Sequence, residues 1–583
     1  MHSIISKRRS IIFSILVIII IGIFAGRLVH YQINEREKIN AKSKDARFVT
    51  KVIPAVRGDI LDSEGNILAT SVLSWDVNID PSNAGPVVLQ IKGKEVAFSK
   101  SEIAEKLGQI LKRPTAEIFE KMSGTSNYAN LKKSVSASVY TALSNLDIPW
   151  VYFDKKQSRH YAQGAVAGNL VGFVGSDGSA LAGIERMMNS CLAGVEGKEQ
   201  FEQGADWIKI PSSIRVIQPV VDGSDVILSI NSDLQYAAQQ EMADTVRRLN
   251  ADWASAIVIE IKTGRILAAA EAPSVDPNVP GKVSEANRHS RVFQTAFEPG
   301  SILKPVAAAT AVDTGKASPL TQVVAPYSLR MPWGQYINDS HSHPPQKLTL
   351  TGVLMDSSNT GMVKIGGEVD SATRYDYMKK FGMGSKTGVN FEGESSGLLT
   401  EYKTWDKMTD QTVMFGQGVS LTPIQTAMIF QAIGNKGTRL SPILVEGCRD
   451  RSGNITKTAV EAPVRVLSEK AASSTMDMLE KVVEKGPIGR TARIQGYRVA
   501  GKTGTAQIAE GKGYGRLYAV SFVGVAPAEN PQYAVAVTAF KSRNVSNSLG
   551  ATPGFVAVMK QVLKTYAVPP STTTSKNIPT EWK

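Results

Sequence analysis

Apolar residues run from Ile11 to Ala25 with only Ser14 and Gly22 interrupting, and the apolar character resumes beyond Arg27 with Leu28, Val29, Tyr31 and Ile33. A membrane span needs about 20 such residues. Lys7-Arg8-Arg9 in front would also suit a cleaved signal peptide, but no small-residue cleavage site follows, since Ile23 takes the first small-residue position of an A-x-A site ending at the candidate Ala25. The pattern predicts one retained transmembrane helix over residues 11–33, with Arg27 snorkelling to the interface. The basic flank places residues 1–10 in the cytoplasm and everything after the anchor outside.

Residues 34–50 are polar and helix-compatible, as a juxtamembrane stalk would be. From Pro54 to Ala69 short apolar runs flank Glu64-Gly65-Asn66, which is hairpin chemistry. Residues 100–150 carry Ile103, Leu107, Ile110 and Leu111 at helical spacing, and the glycine-rich stretch from Tyr161 to Gly197 predicts short strands. From about Val226 the elements lengthen. A helix is predicted over 232–249, followed by a hairpin of 253–261 and 265–270 turned by Lys262-Thr263-Gly264. A helix opens at Ser301 and ends at Gly315, others cover 422–434, 467–485 and 554–566, and late strands cover 497–500, 517–525 and 533–540. Helices grouped between early and late strands predict an antiparallel sheet covered by helices, an α+β fold. The division expected is a cytoplasmic tail (1–10), the anchor (11–33), an extended α+β pedestal (34–220), a chemistry-bearing domain (221–568) and a Pro, Ser and Thr-rich tail (569–583) expected to be disordered.

With 583 residues the chain exceeds what one hydrophobic core serves. Its net charge of +13 suits a generally basic surface, or an anionic partner such as a membrane surface or a phosphorylated lipid, and no Lys/Arg run is interleaved with aromatics, which argues against nucleic acid. The two cysteines, Cys191 and Cys448, exclude a disulfide framework and a cysteine-rich metal site, and their spacing leaves open whether they pair. His341-Ser342-His343 after Asp339 reads as solvated loop residues and not as a metal site. No phosphate-cradling glycine loop of the P-loop type is present, and no cofactor is implied.

Ser301 and Lys304 form the chain's single S-x-x-K tetrad. A serine hydroxyl needs a base within hydrogen-bond reach, and a lysine one helical turn away can supply it. Ile302, Leu303, Val306, Ala307, Ala308 and Ala309 make that helix apolar nearly all round, hence buried, and burial favours the neutral amine that can accept a proton. Two further patterns are ambiguous alone. Ser-x-Asn occurs at Ser357-Ser358-Asn359 and also from Ser229, Ser452, Ser542 and Ser575. Lys-Thr-Gly occurs at Lys262, Lys386 and Lys502. Only Lys502 follows an apolar strand start late in the chain.

The ordered set Ser301-x-x-Lys304, Ser357-x-Asn359, Lys502-Thr503-Gly504 resembles the site of penicillin-binding proteins and serine β-lactamases. Arg57-Gly58-Asp59-Ile60-Leu61-Asp62, then His160-Tyr161, Leu170-Val171-Gly172-Phe173 and Gly183-Ile184-Glu185, resemble blocks of the class B pedestal. Phe415-Gly416-Gln417-Gly418 with Thr422-Pro423 resembles another transpeptidase block. A β-lactamase would leave residues 34–220 without a role, and a bifunctional class A protein would need a glycosyltransferase block that is not found there.

The resemblance implies the penicillin-binding-protein transpeptidase fold and a membrane-anchored peptidoglycan D,D-transpeptidase. Ser301 would be the nucleophile, Lys304 the base, Ser357 and Asn359 the proton relay and amide clamp, and Lys502 an electrostatic support. Thr503, Gly504 and Thr505 would bind substrate, and the backbone N–H groups of Ser301 and Thr505 would form the oxyanion hole. Stem peptides ending in D-Ala-D-Ala and β-lactams would be the ligands. A SEDS-type glycan polymerase and division proteins would be the partners, at the septum of a bacterial cell. An elongation-type enzyme and a non-catalytic scaffold of the same fold are the alternatives.

Overall fold

The computed structural model describes residues 2–38, 48–91, 94–202, 210–510 and 513–583. Most of the expected stalk, residues 39–47, lies outside the described residues. Two compact units emerge, residues 1–56 with 193–223, and residues 57–192 with 224–583. The first contains α1 (His2–Val29), which continues to Asn34 and is long and apolar enough to cross a membrane. It also holds a small antiparallel sheet of Phe48–Ile53, Gly197–Glu202 and Arg215–Gln218.

In the second unit the segment read as a hairpin forms one. β1 (Ile60–Leu61) pairs with β2 (Ile67–Ile79) across a turn held by Asp62, whose Oδ1 accepts the N–H groups of Glu64 and Asn66. β2 also pairs with β3 (Ala129–Val135) and β4 (Val151–His160). On the other side β1 runs parallel to β5 (Asp225–Leu228). The glycine-rich stretch 161–197 departs from expectation. It forms three short helices, Gly168–Val171, Gly183–Met187 and Asn189–Leu192, because its glycines serve as tight corners. A Cβ at Gly172 would lie 1.9 Å from the Ala182 carbonyl oxygen.

The two pedestal blocks picked out by sequence meet in space. Glu185, fully buried, accepts hydrogen bonds from Arg57 Nε and Arg159 Nε, each at 2.6 Å.

The remaining elements build the chemistry-bearing part. In chain order they are α2 (Ser232–Leu249), β6 (Trp253–Glu260), β7 (Ile266–Ala272), α3 (Lys304–Asp313), β8 (Gln322–Ala325), β9 (Gln346–Thr349), α4 (Leu350–Asp356), α5 (Asn359–Gly366), α6 (Pro423–Gly434), β10 (Val445–Arg449), α7 (Glu469–Lys485), β11 (Ala500–Glu510), β12 (Gly513–Ala526), β13 (Tyr533–Ser542) and α8 (Thr552–Thr565). A five-stranded antiparallel sheet has the order β7-β6-β13-β12-β11. Its strands are apolar on both faces, as burial between two helical layers requires. Ala254, Ala256 and Val258 pack with Leu234, Met242, Phe555 and Met559 of α2 and α8. The alternating Ile257 and Ile259 pack with Ile424, Met428 and Leu479 of α6 and α7. β11 is an edge strand, so one side of its backbone is free to face a cleft.

The expected border at 220/221 does not separate compact bodies. β5 pairs antiparallel with β10, so strands from both sides of that border share one sheet, and Cys191 and Cys448 are joined as a disulfide beside it. The expected disorder of residues 569–583 is also corrected. Ser571 N–H donates to the Gly496 carbonyl, Lys576 pairs with Asp477 of α7 at 2.7 Å, and Trp582 N–H reaches the Lys347 carbonyl of β9. Composition pointed to disorder because few of these residues are apolar; the segment is held by hydrogen bonds instead.

Glu185 compensates two guanidinium groups, so Glu185→Gln should destabilise the second unit by about 3–5 kcal/mol, the scale for breaking a buried ion pair. A lowered denaturant midpoint in chemical unfolding, with an unchanged far-ultraviolet spectrum beforehand, is the expected result.

Candidate active site

Ser301 sits in a single 3-10 turn, Gly300–Leu303, that runs directly into α3. Glycine makes its placement possible. Gly300 has φ +54°, and a Cβ there would lie 2.6 Å from the Thr505 carbonyl oxygen. A Cβ at Gly504 would lie 2.5 Å from the Ile302 side chain, and one at Gly416 would lie 2.1 Å from the Gly300 carbonyl oxygen. The turn therefore nests between edge strand β11 and the Phe415-Gly416-Gln417-Gly418 segment. Gly300 N–H donates to the Gly416 carbonyl at 3.1 Å. Glu298 closes the same wall, its Oε1 accepting from Gly418 N–H at 2.9 Å and from the Tyr514 hydroxyl at 3.2 Å.

Lys304 begins α3 with no exposed surface, and its Nζ lies 3.0 Å from Ser301 Oγ and 3.2 Å from Ser357 Oγ, with a further bond to the Ser357 carbonyl. Burial pulls its pKa down to about 7, against the opposing pull of the Asp339 carboxylate. At the ordinary value, about one lysine in three thousand is neutral at pH 7. Burial raises that neutral fraction by orders of magnitude here. Lys502, on β11, is equally buried and donates to Ser357 Oγ at 2.8 Å and to Thr503 Oγ1 at 3.0 Å. Burial, then repulsion from Lys304, holds its pKa well below normal. Ser357 Oγ thus stands between two buried amines, one of which touches the Ser301 hydroxyl.

Ser357 terminates α4 in the left-handed region at φ 62°. A non-glycine residue there is strained by about 1–3 kcal/mol and persists only where its surroundings impose it. Asp339 fixes the three residues that follow Ser357. Its Oδ1 accepts the N–H groups of Asn359 and Thr360, the first two residues of α5, and its Oδ2 accepts from Ser358 Oγ at 2.7 Å. Ser358 in turn caps α5 by accepting from Gly361 N–H at 2.9 Å. A carboxylate at a helix N-terminus is also favoured by the helix dipole.

His343, expected to be a solvated loop residue, is instead half-buried with its side chain 8% exposed, Nε2 lying 3.0 Å from Asp339 Oδ2 and Nδ1 2.8 Å from the Pro344 carbonyl. Burial lowers its pKa, but the Pro344 carbonyl and Asp339 raise it further, so the net shift is upward. Sequence gave no signal for Asp339, because its partners are backbone N–H groups and a hydroxyl about twenty positions away.

The structure brings Ser301, Lys304, Ser357 and Lys502 into one hydrogen-bonded cluster. Asn359 lies beside it, half-buried, its Nδ2 donating to the Asn338 carbonyl at 2.8 Å. Thr503 touches Lys502, and Thr505 Oγ1 lies 3.1 Å from Ser548 Oγ, whose hydroxyl donates to the Gly504 carbonyl. Ser548 is a further neighbour that no motif announced. The other two Lys-Thr-Gly triplets are placed elsewhere, Lys262 exposed at the β6–β7 turn and Lys386 exposed in a loop.

The penicillin binding protein transpeptidase-domain model matches residues 254–560, and the penicillin-binding-protein dimerisation-domain model matches residues 52–228. The chain belongs to the class B penicillin-binding proteins. Penicillin-binding protein PbpB of Mycolicibacterium smegmatis is 30% identical over 95% of this chain and 89% of its own length. Peptidoglycan D,D-transpeptidase FtsI of Escherichia coli K12 is 30% identical, over 96% and 92%. Among solved structures, a peptidoglycan synthetase from Bifidobacterium adolescentis superimposes with a TM-score of 0.73 at 30% identity, covering 92% of this chain and all of that one. Penicillin binding protein 3 from Mycobacterium tuberculosis, complexed with aztreonam, gives 0.70 at 27% identity, covering 91% and 100%.

In this penicillin-binding protein Asp339 both shapes the Ser357 corner and raises the proton affinity of Lys304. Asp339→Ala should slow labelling by a fluorescent penicillin about 10²-fold, the scale for a 1 Å misplacement of a reacting group. It should also move the pH midpoint of labelling below that of the parent protein. Time-resolved labelling across a pH series measures both.

Proposed function

We propose that this chain is a membrane-anchored peptidoglycan D,D-transpeptidase that crosslinks stem peptides through an acyl-enzyme on Ser301, is acylated there by β-lactams, and works in septal wall synthesis. The observation that carries the catalytic part is the contact of fully buried Lys304 with Ser301 Oγ at 3.0 Å, with burial pulling the lysine down to about 7. A neutral amine at that distance is a competent base.

In this mechanism Ser301 Oγ attacks the carbonyl carbon of the penultimate D-alanine while its proton passes to Lys304 Nζ. The oxyanion is held by the backbone N–H groups of Ser301 and Thr505, an arrangement worth about 3–4 kcal/mol per donor. The amide C–N bond breaks, and the departing D-alanine nitrogen takes the proton from Lys304 through Ser357 Oγ, which lies within 3.2 Å of Lys304 and 2.8 Å of Lys502. The amine of a neighbouring stem then attacks the ester, gives a proton to Lys304, and forms the crosslinking amide. Ser301 Oγ recovers its proton from Lys304. Asn359 is suited to hold the substrate amide, and Thr503, Gly504 and Thr505 to bind its carboxylate on the free edge of β11. Lys502 lends electrostatic support to Ser357.

The anchor reading is supported by α1 and places the catalytic part outside the membrane, with residues 1–10 inside. The septal reading is supported by the modest pedestal and the similarity to FtsI, and it entails a SEDS-type glycan polymerase and division proteins as partners.

Ser301→Ala should abolish fluorescent-penicillin labelling, and Lys304→Ala should slow it by about 10²–10⁴-fold, the usual contribution of a general base. In the parent protein the labelling rate should rise with pH to a plateau with a midpoint near 7, because the base is the deprotonated amine. A rate that is flat from pH 6 to 8 would remove Lys304 from that role. For the septal reading, a fluorescently tagged copy should concentrate at division sites and its depletion should give filamentous or unseparated cells; uniform side-wall signal with normal division would refute it.

A further inference from the structure

Residues 577–583 lie against the element that carries Ser357. Glu581 bridges Leu348 of β9 in antiparallel fashion, Thr349 N–H donates to the Thr580 carbonyl at 3.0 Å, and Trp582 N–H donates to the Lys347 carbonyl at 3.1 Å. The Trp582 ring lies under Lys347 Nζ, 5.0 Å away, and its indole N–H reaches the Val323 carbonyl of β8 at 3.3 Å. The segment thus adds a single antiparallel bridge to β9, the strand that pairs with β8.

Its most informative contact is with a helix cap. Thr349 caps α4 by accepting from Gly352 N–H at 3.1 Å, and the same hydroxyl donates its single proton to the Pro579 carbonyl at 2.7 Å. That donation fixes the hydroxyl so that a lone pair points at the helix. One turn on, a Cβ at Gly352 would lie 1.9 Å from the Thr580 carbonyl oxygen and no closer than 3.3 Å to the next nearest atom outside that residue's carbonyl group, the Leu348 Cβ. Glycine is a poor residue for a helix interior and alanine the best. The strap is therefore what makes glycine the fitting residue at position 352.

From Thr349 the helix runs two turns to Ser357, and Gln346 Nε2 binds Asp356 Oδ2 at 2.6 Å, tying the same β9 strand to the last residue before the catalytic corner.

We propose that residues 577–583 form a positioning strap for the Ser357-x-Asn359 corner, holding α4 from its capped start so that Ser357 Oγ stays between Lys304 and Lys502. The residues concerned touch no reacting atom. They act through Thr349, Gly352 and α4. This rests on the reading of Ser301 as the acylated nucleophile.

The test uses the full chain in detergent and labelling with a fluorescent penicillin, separating the saturating acylation rate from the apparent dissociation constant of the reversible complex. Four variants are compared with the parent: the chain ended after Lys576, Gly352→Ala, both changes together, and Trp582→Ala. The shortened chain and Gly352→Ala should each lower the saturating rate by about tenfold while the dissociation constant stays within about threefold, since a misplaced relay weakens the chemical step and not ground-state binding. Trp582→Ala should give a smaller loss in the same direction. The decisive expectation is non-additivity: with the strap gone, Gly352→Ala should cost nothing further, because the carbonyl it would strike is absent.

A shortened chain that acylates at the parental rate would overturn the proposal. So would a Gly352→Ala change that slows the shortened chain by the same factor as the full one. Persistence of label in Ser301→Ala would instead refute the nucleophile, so the two failures are told apart.

Discussion

Two amines buried around one serine hydroxyl set the terms for the rest of this structure. Lys304 and Lys502 both contact Ser357 Oγ, both are fully withdrawn from water, and they cannot both carry charge at that distance without large cost. The arrangement survives because its walls are built to leave no slack. Three glycines bring the Ser301 turn against β11 and against the 415–418 segment at distances no side chain would allow, and a buried carboxylate, Asp339, spends its oxygens on the Ser358–Thr360 corner. Asp339 also tempers the electrostatics, since its charge raises the proton affinity of Lys304 while burial depresses it.

The pedestal and the catalytic part are joined by the same logic of buried polar groups and shared strands. β5 lies between β1 and β10, drawing the hairpin of residues 60–79 and a strand more than two hundred residues later into one sheet. Around it the Arg57–Glu185–Arg159 cluster and the Cys191–Cys448 bond connect segments that no local pattern links. Asp62 contributes from the hairpin turn, accepting Ser232 N–H at the start of α2.

Much of this was legible beforehand, and the division is instructive. The helices over 232–249, 422–434 and 467–485 follow from long apolar periodicity and appear within two residues of their expected limits. Ser301 and Lys304 were readable because their spacing is local, one helical turn. The Lys-Thr-Gly triplets were separable by order and setting: Lys262 precedes Ser301 and fills a hairpin turn, Lys386 lies in a glycine-rich loop, and Lys502 alone comes late, at the start of an apolar strand; in the structure Lys502 is buried and the other two are exposed. Asp339 was not legible, because its role is made of backbone N–H groups. Nor was the order of residues 569–583: it depends on carbonyls of that segment meeting Thr349, on an indole meeting Val323, and on Lys576 meeting Asp477, none of which raises its hydrophobicity. The stretch 161–197 misled for the opposite reason. Its glycines suggested turns between strands, whereas they allow short helices to pack corner to corner.

Gly352 carries an implication for how such chains diverge. Within α4 alone, replacing it by alanine would be favourable by roughly 0.5–1 kcal/mol, so a lineage free to drift would lose the glycine. The Thr580 carbonyl, 1.9 Å from where that methyl would stand, withholds this freedom. Residue 352 and the presence of the strap are therefore expected to covary among relatives: chains that lack the segment should accumulate alanine in the helix, and chains that keep it should keep the gap. A single missing methyl group, five residues before Ser357, would then record in sequence alone whether a given relative wears the strap.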